Sequence, residues 1–345
     1  MQEIINGGFV QVTSRKSEKE FDELDLGILT ALRTDGRAPW PKIAAEVGSS
    51  TSTVRRRYES LQQRGLIRVI GRTEVARLGF GPPAMVKFRG RDAMLPEFLK
   101  SLQQNSHVRY LSFTLGTADC LAEIVPRTLP SLQDVLWAIR QDFEVESESY
   151  VVTHTYTSGQ DWLPDSAERK IDTSTRTSDV ELSLDERRVL GALLRDGRAS
   201  YSSIAAAIQK SENTARRIME SLFEREIASL RVLVEPEMLG FQAKFWAWID
   251  IKPSHLPEAA GLLAANPATK TLFASAGSSN LVGQFVLPRH TEVYAFMVDV
   301  LGELPGVRNA ETLLESAVYK RVWNLVEDNT YRGVAGPDWL FGSLI

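Results

Sequence analysis

Apolar residues recur at helical spacing near the start of the chain. Leu24, Ile28, Leu29 and Leu32 lie on one side of a helix starting at Glu23 and run up to the turn signal Asp35-Gly36. A short second helix is predicted from about Pro41, a residue suited to a first helical turn, to Val47. After a Gly48-Ser49 turn, Ser50 is placed to cap a third helix whose Val54, Tyr58 and Leu61 share one side and which ends near Gly65. Three short helices with this turn make a helix-turn-helix. Residues 66–70 then alternate apolar and basic, as a strand or wing does, and a wing adds phosphate contacts.

Downstream the period changes. Strands are expected at 83–89, 108–114, 120–125 and 149–155, with helices near 95–102 and 132–141. A second succession follows, with strands at 244–251, 270–274, 281–287 and 311–317 and helices at 256–264 and 293–301. The order β-α-β-β-α-β is the ferredoxin-like arrangement. Its exposed sheet face needs a partner, and the other succession is the obvious one.

The two halves also match residue by residue. Asp35-Gly36-Arg37-Ala38 recurs as Asp196-Gly197-Arg198-Ala199, an offset of 161. The same offset relates Ile43-Ala44-Ala45 to Ile204-Ala205-Ala206, Arg55-Arg56 to Arg216-Arg217, Glu59-Ser60-Leu61 to Glu220-Ser221-Leu222 and Leu78-Gly79-Phe80 to Leu239-Gly240-Phe241. It persists through Leu95-Pro96-Glu97, Gly116, Val125 and Trp162, which meet Leu256-Pro257-Glu258, Gly277, Val286 and Trp323. A tandem duplication follows, a pseudo-dimer in one chain. The expected fold class is therefore α+β, with two winged helix-turn-helix domains (21–80 and a diverged 182–241) each followed by a ferredoxin-like effector and assembly domain (81–164 and 242–326). An N-terminal extension covers 1–20, and a linker rich in Ser, Thr and charge covers 165–181. Residues 327–345 form a tail whose Trp339, Leu340, Phe341, Leu344 and Ile345 either dock elsewhere or pack on their own domain.

Composition narrows the function. With 43% hydrophobic and 24% charged residues, the chain reads as globular. No apolar run of about 18 residues and no secretory leader is visible, so no membrane partner is expected. A single cysteine, Cys120, and no Cys/His cluster point to a reducing cytoplasm and no structural zinc. A net charge of −4 excludes a uniformly basic surface, so any nucleic-acid contact is local. Such a patch lies between Lys42 and Arg72, where seven basic residues face two acidic ones, an excess of +5.

On the third helix, the face opposite Val54, Tyr58 and Leu61 carries Ser52, Arg56, Glu59 and Gln63, flanked by Arg55 and Arg57. Ser50, Thr51, Ser52 and Thr53 supply hydroxyls for base edges or phosphates, and Arg55, Arg56 and Arg57 supply forks for guanine or phosphate. In the second copy Asn213, Thr214, Arg216 and Arg217 permit DNA contact, but between Lys210 and Val234 five basic residues meet four acidic, an excess of only +1. Its electrostatic grip is expected to be weaker. In the hairpins between the middle strands, Gly116, Thr117 and Asp119, and Gly277, Ser278 and Asn280, are candidates to hold a small zwitterion such as an amino acid. A plain hairpin turn is the alternative reading of the same residues.

These residues together resemble the leucine-responsive/asparagine-operon regulator family, Lrp/AsnC. The match runs through Leu24-Asp25, Ile28-Leu29, Asp35-Gly36-Arg37, Ile43-Ala44, Val47-Gly48, Ser50, Thr53-Val54, Arg57, Leu61 and Gly65-Leu66-Ile67, then Leu78-Gly79-Phe80 and the Gly116 to Asp119 turn. The resemblance implies a DNA-binding transcriptional regulator that senses an amino acid or related metabolite near that turn, needs no cofactor and assembles as a homo-oligomer. Asn280 lacks the charge of Asp119, so the two turns are expected to differ. An enzyme of the sirohaem decarboxylase type and a scaffold without DNA binding are the alternatives. The four histidines, His107, His154, His255 and His290, share no repeat-equivalent position and no catalytic spacing, so no catalytic residue is expected.

Overall fold

The computed structural model describes residues 21–73, 75–90, 94–158 and 180–336. The expected extension at 1–20, most of the linker, Trp162 and the apolar residues of the tail lie outside the described residues. The first helix, α1 (Glu23–Thr34), is fixed by a reciprocal capping box between Asp22 and Asp25. It is followed by α2 (Trp40–Glu46) and α3 (Thr51–Gln63). Gly48 supplies the left-handed residue between them, with φ +65°. Next come β1 (Arg68–Arg72), a 3₁₀ turn at Val75–Leu78, β2 (Ala84–Arg89), α4 (Leu95–Gln104), β3 (Val108–Leu115), β4 (Cys120–Ile124), α5 (Leu129–Asp142) and β5 (Glu146–Thr157).

The second half runs through α6 (Leu184–Arg195), α7 (Tyr201–Ile208), α8 (Glu212–Glu224), β6 (Ser229–Leu233), a 3₁₀ turn at Pro236–Leu239, β7 (Ala243–Ile251), α9 (Leu256–Ala265), β8 (Thr269–Ala276) and β9 (Leu281–Leu287). It continues with α10 (Val293–Phe296), prolonged by a π turn at Met297–Leu301, then β10 (Val307–Arg321), β11 (Asn324–Glu327) and β12 (Thr330–Val334). The bounds of α1, α3, β1, α4 and β3 reappear 161 residues on as those of α6, α8, β6, α9 and β8.

The strands close on themselves. In the order β10-β3-β4-β2-β5-β8-β9-β7, with β7 pairing back to β10, eight antiparallel strands form a barrel. Its halves join at two seams, β5 against β8 (Val151 opposite Ala276) and β10 against β3 (Leu314 opposite Leu115). The lumen is filled by side chains, among them Met85, Tyr110, Tyr150, Trp246, Trp248, Phe273 and Leu313. Outside, α4 and α5 cover one half through Phe98, Leu102, Leu132 and Ile139, and α9 and α10 cover the other through Ala260, Leu263 and Phe296. Among the described residues no helix is long and apolar enough to cross a membrane.

Two expectations are corrected. The strand after the third helix is not a wing. Among the described residues it has no strand partner in its own half, and it pairs instead with β6, Arg68 opposite Leu233 and Arg72 opposite Ser229. The segment expected to open the tail is partly a hairpin, β11 with β12, turning on Asp328 and Asn329 at φ +47° and +59°.

Burial includes charge, and several of the buried ions are paired with groups of opposite sign. Arg321 donates to both oxygens of Glu235 at 2.7 and 2.9 Å, and the Tyr331 hydroxyl donates to Glu235 at 2.7 Å. Burial raises the Glu235 pKa, but Arg321 and the nearby lysines outweigh it and hold the group at about 2. Nearby, Glu315 accepts from Trp246 at 3.0 Å and Gln284 at 2.9 Å and pairs with Lys244 at 3.1 Å. Tyr331 also donates its backbone N–H to the Gly65 carbonyl at 2.7 Å, so the network reaches the end of α3.

Candidate nucleic-acid interface and the hairpin turns

The third helix starts where its cap dictates. Ser50 accepts from the Thr53 N–H at 3.1 Å and its hydroxyl donates to the Thr53 hydroxyl, which fixes the first turn. Val54, Tyr58 and Leu61 are buried against α1 and α2, leaving Thr51, Ser52, Arg55 and Arg56 exposed on the opposite face. Arg55 pairs with Glu59 along the helix at 2.8 Å, while no ion pair holds Arg56 among the described residues. Arg57 departs from the expected role. Its guanidinium turns back to Asp22 at 3.0 Å and to the buried Asp25 at 3.7 Å, tying α3 to the start of α1. The signal for this lay in the acidic capping box, whose net charge needs a cation.

The second trio repeats the geometry with other side chains. Ser211 caps α8 by accepting from the Thr214 N–H at 3.2 Å. Asn213 and Arg217 are exposed, and Arg216 lies over the Tyr201 ring, 4.7 Å from its centroid. Ile218, at the place of Arg57, packs into the core of its own trio.

The trios are fastened to each other. Arg37 donates to the carbonyls of Gly197 and Ala199, both at 2.8 Å, and Arg198 donates to those of Gly36 and Ala38 at 2.7 and 3.1 Å. Arg198 also stacks over Trp40 at 4.0 Å, and Arg37 over Tyr201 at 5.3 Å. The chain must approach closely here: a Cβ on Gly36 would sit 2.8 Å from Leu230. Each core also borrows from the other half, Leu230, Val232 and Met238 packing on the first trio and Val75, Leu78 and Phe80 on the second. The repeated Asp-Gly-Arg-Ala was visible in the sequence, but a local reading does not assign its arginine a partner in the opposite half of the chain.

The hairpin turns are built into the seams. Gly116, at φ +140°, lies against Leu313, where a Cβ would meet Cδ2 at 2.6 Å, and the Thr117 hydroxyl donates to Glu311. At the other seam a Cβ on Gly277 would lie 2.7 Å from the Tyr150 ring, and the Ser278 hydroxyl donates to Glu148 at 2.7 Å. Burial alone would raise the Glu148 pKa, yet hydrogen bonds from Ser278 and Tyr150 and the charge of Lys87 bring it below the usual range. Asp119 and Asn280 perform one local task. Asp119 accepts from the Gly90 N–H at 2.8 Å, and Asn280 accepts from the Ile251 N–H at 3.0 Å and donates to the Ile251 carbonyl at 2.7 Å. Lys87, which the sequence reading did not single out, joins the seams from the lumen. It pairs with Glu311 and lies 4.3 Å from the Trp248 ring centroid and 3.8 Å from Glu148. A lysine inside the apolar run Ala84-Met85-Val86-Lys87-Phe88 was its signal.

A family model for the AsnC-type helix-turn-helix domain matches residues 21–62. An HTH-type transcriptional regulator of Pyrococcus furiosus is 30% identical over 136 residues, spanning 92% of that protein and 39% of this chain. The HTH-type transcriptional regulator LrpA of Pyrococcus horikoshii is 30% identical over 116 residues, 82% of its length and 33% of this chain. Among solved structures, the siroheme decarboxylase NirDL superposes over 94% of this chain and 98% of its own with a TM-score of 0.64 at 15% identity, a likeness of fold.

Proposed function

Because the chain belongs to the Lrp/AsnC family of helix-turn-helix transcriptional regulators, we propose that it is a sequence-specific DNA-binding regulator whose grip on DNA responds to an amino acid or related metabolite. In this reading the chain is two fused copies of one unit, a helix-turn-helix followed by a ferredoxin-like domain. The strand order within each half of the barrel, β5-β2-β4-β3 and β10-β7-β9-β8, supports it, as does the constant offset of 161. The protein works in the cytoplasm and associates further as a homo-oligomer.

The observation that carries the proposal is the outward face of α3, where Ser52, Arg55 and Arg56 stand exposed in the segment that the family model matches. An exposed arginine without an ionic partner keeps its whole fork for phosphate or guanine. Thr51 and the cap residues Ser50 and Thr53 set the helix start against the DNA backbone, and Asn213, Thr214, Arg216 and Arg217 do so on α8. Helices of such a pair enter successive major grooves, roughly 34 Å apart. The effector binds at the turns around Gly116, Thr117 and Asp119 and around Gly277, Ser278 and Asn280. The proximity of these turns to both seams supports that placement, because a ligand there touches both halves of the barrel.

The test is binding of the protein to its own upstream intergenic DNA at several salt concentrations, with and without a panel of amino acids. Tight binding that falls steeply with salt, shifts with one amino acid and weakens in Arg55→Ala/Arg56→Ala supports the regulator. No preference over random DNA overturns it.

A second reading, decarboxylation of a sirohaem-type tetrapyrrole, is supported by the fold likeness alone. Against it, His107 rests on the Val125 carbonyl at 3.0 Å, His154 packs edge-on against Tyr156, His255 packs beneath Gly306 and His290 opens the turn before α10. The histidines lie on separate elements. Release of carbon dioxide from a sirohaem-type substrate by the purified chain would establish this second reading.

A further inference from the structure

We infer that the protein reads a non-palindromic DNA site in a single orientation, with α3 and α8 recognising half-sites of different sequence. The inference rests on the DNA-binding reading and deepens it.

The two reading helices are not free to act independently. The five-residue pairing of β1 with β6, the reciprocal bonds of Arg37 and Arg198, and the exchange of core residues between the trios fix α3 and α8 in one arrangement. A homodimer held this way presents the same surface twice, and its operator mirrors that symmetry. Here the frame is repeated but the surfaces are not.

At the first turn α3 shows Thr51 and Ser52 where α8 shows Glu212 and Asn213, all four exposed. A serine hydroxyl bonds to either donor or acceptor edges and discriminates little, whereas an asparagine amide forks to adenine. Glu212 is repelled by phosphate and accepts from the cytosine amino group. At the far end Gln63 of α3 is replaced by Glu224 of α8, both exposed. The outward faces hold in common the exposed pairs Arg55 and Arg216, Arg56 and Arg217, and Glu59 and Glu220, of which Arg55 is paired with Glu59 and Arg216 lies over Tyr201. The half-site under α3 is therefore gripped mainly through phosphate and guanine, and the half-site under α8 through base edges, with less help from charge.

The experiment begins with in vitro selection of bound sequences from random duplex DNA using the full chain. The expected consensus has two unlike halves, and artificial sites carrying either half twice bind at least tenfold more weakly than the selected site. Orientation is then read by tethered cleavage. Cys120 is buried, so an iron-chelate reagent labels a cysteine introduced by Gln63→Cys or by Glu224→Cys. Each conjugate is expected to cut within one half-site only, the two cutting opposite halves, and reversing the site in the fragment reverses the cuts. A palindromic consensus, or cutting of both halves by each conjugate, overturns the inference while leaving DNA binding intact. Failure to enrich any sequence overturns the DNA-binding reading itself. Should a conjugate fail to fold, the comparison of doubled half-sites decides alone.

Discussion

Arg37 and Arg198 each donate two hydrogen bonds to the turn that carries the other, Arg37 to Gly197 and Ala199 and Arg198 to Gly36 and Ala38. The bonds are charge-assisted and end on backbone carbonyls, so no side-chain rotation can replace them. Arg37→Ala or Arg198→Ala is expected to cost about 2–3 kcal/mol in thermal or denaturant unfolding, from the loss of two such bonds. The variants should also tolerate DNA in which the half-site spacing is changed by one base pair, where the parent does not. Band-shift titration on a spacing series checks this.

Arg56 and Arg57 are neighbours with opposite expected phenotypes. Arg56→Ala should leave stability unchanged and reduce the slope of log affinity against log salt by about one. Arg57→Ala breaks a half-exposed pair with Asp22 and a longer contact with the buried Asp25, so it should lower stability by about 1 kcal/mol and leave the slope as it was. Equal slopes for the two variants would remove the distinction between a contact to DNA and a brace to α1.

The turns allow charge to be separated from structure. Asn280 shows that an amide serves the backbone N–H as well as a carboxylate does. Asp119→Asn should therefore keep the fold and abolish the amino-acid response, whereas Asp119→Ala should also cost about 1–2 kcal/mol through the orphaned Gly90 N–H. A full response in Asp119→Asn would place the ligand's ammonium elsewhere. Calorimetric titration and unfolding of both variants provide the measurement.

Much of this architecture was legible before any coordinates. Helix starts were readable because Asp22 and Ser50 cap locally, and strand identity was readable because β2, β3, β7 and β9 are short apolar runs. That the sheet of one half needs the other as partner was expected, but the particular contacts between the halves escaped. The pairing of β1 with β6 joins residues in different halves, so the alternation of residues 66–70 announced a strand but not its partner. The inward turn of Arg57 depended on acids a full helix earlier, and its spacing on α3 suggested the DNA face equally well. The hairpin at Asp328-Asn329 was encoded in a dipeptide that tolerates left-handed backbone, but it lay beyond the last match of the repeat.

Glu235 makes the barrel sensitive to acid. Its carboxyl titrates at about 2 in the folded protein against 4.5 ordinarily. The stabilisation is complete above the unfolded value and is lost as pH falls from about 4.5 toward 2. Glu235→Gln should flatten that acid limb of the stability curve and cost about 3–5 kcal/mol at neutral pH, because Arg321 stays buried without its counter-charge.

Lys320 works in the opposite sense. Burial pulls its pKa from 10.5 down to about 7, and its ammonium reaches the Asn105 carbonyl at 2.8 Å. Between these values the unfolded chain binds more protons, so this group's contribution to stability rises as pH increases from about 7 to 10.5. Lys320→Met should gain most over the parent below pH 7, and its advantage should shrink across that window. Denaturant midpoints at several pH values test the sign.

The two seams of the barrel lie within one polypeptide, which changes how the protein responds to scarcity. Strands that separate within one chain stay covalently joined, so the barrel closes again intramolecularly and dilution does not take it apart. Joining of the two halves should then add no concentration dependence to the occupancy of a DNA site. A few copies per cell would suffice to keep a complete two-helix reader, a regime in which a dissociable dimer is mostly monomer.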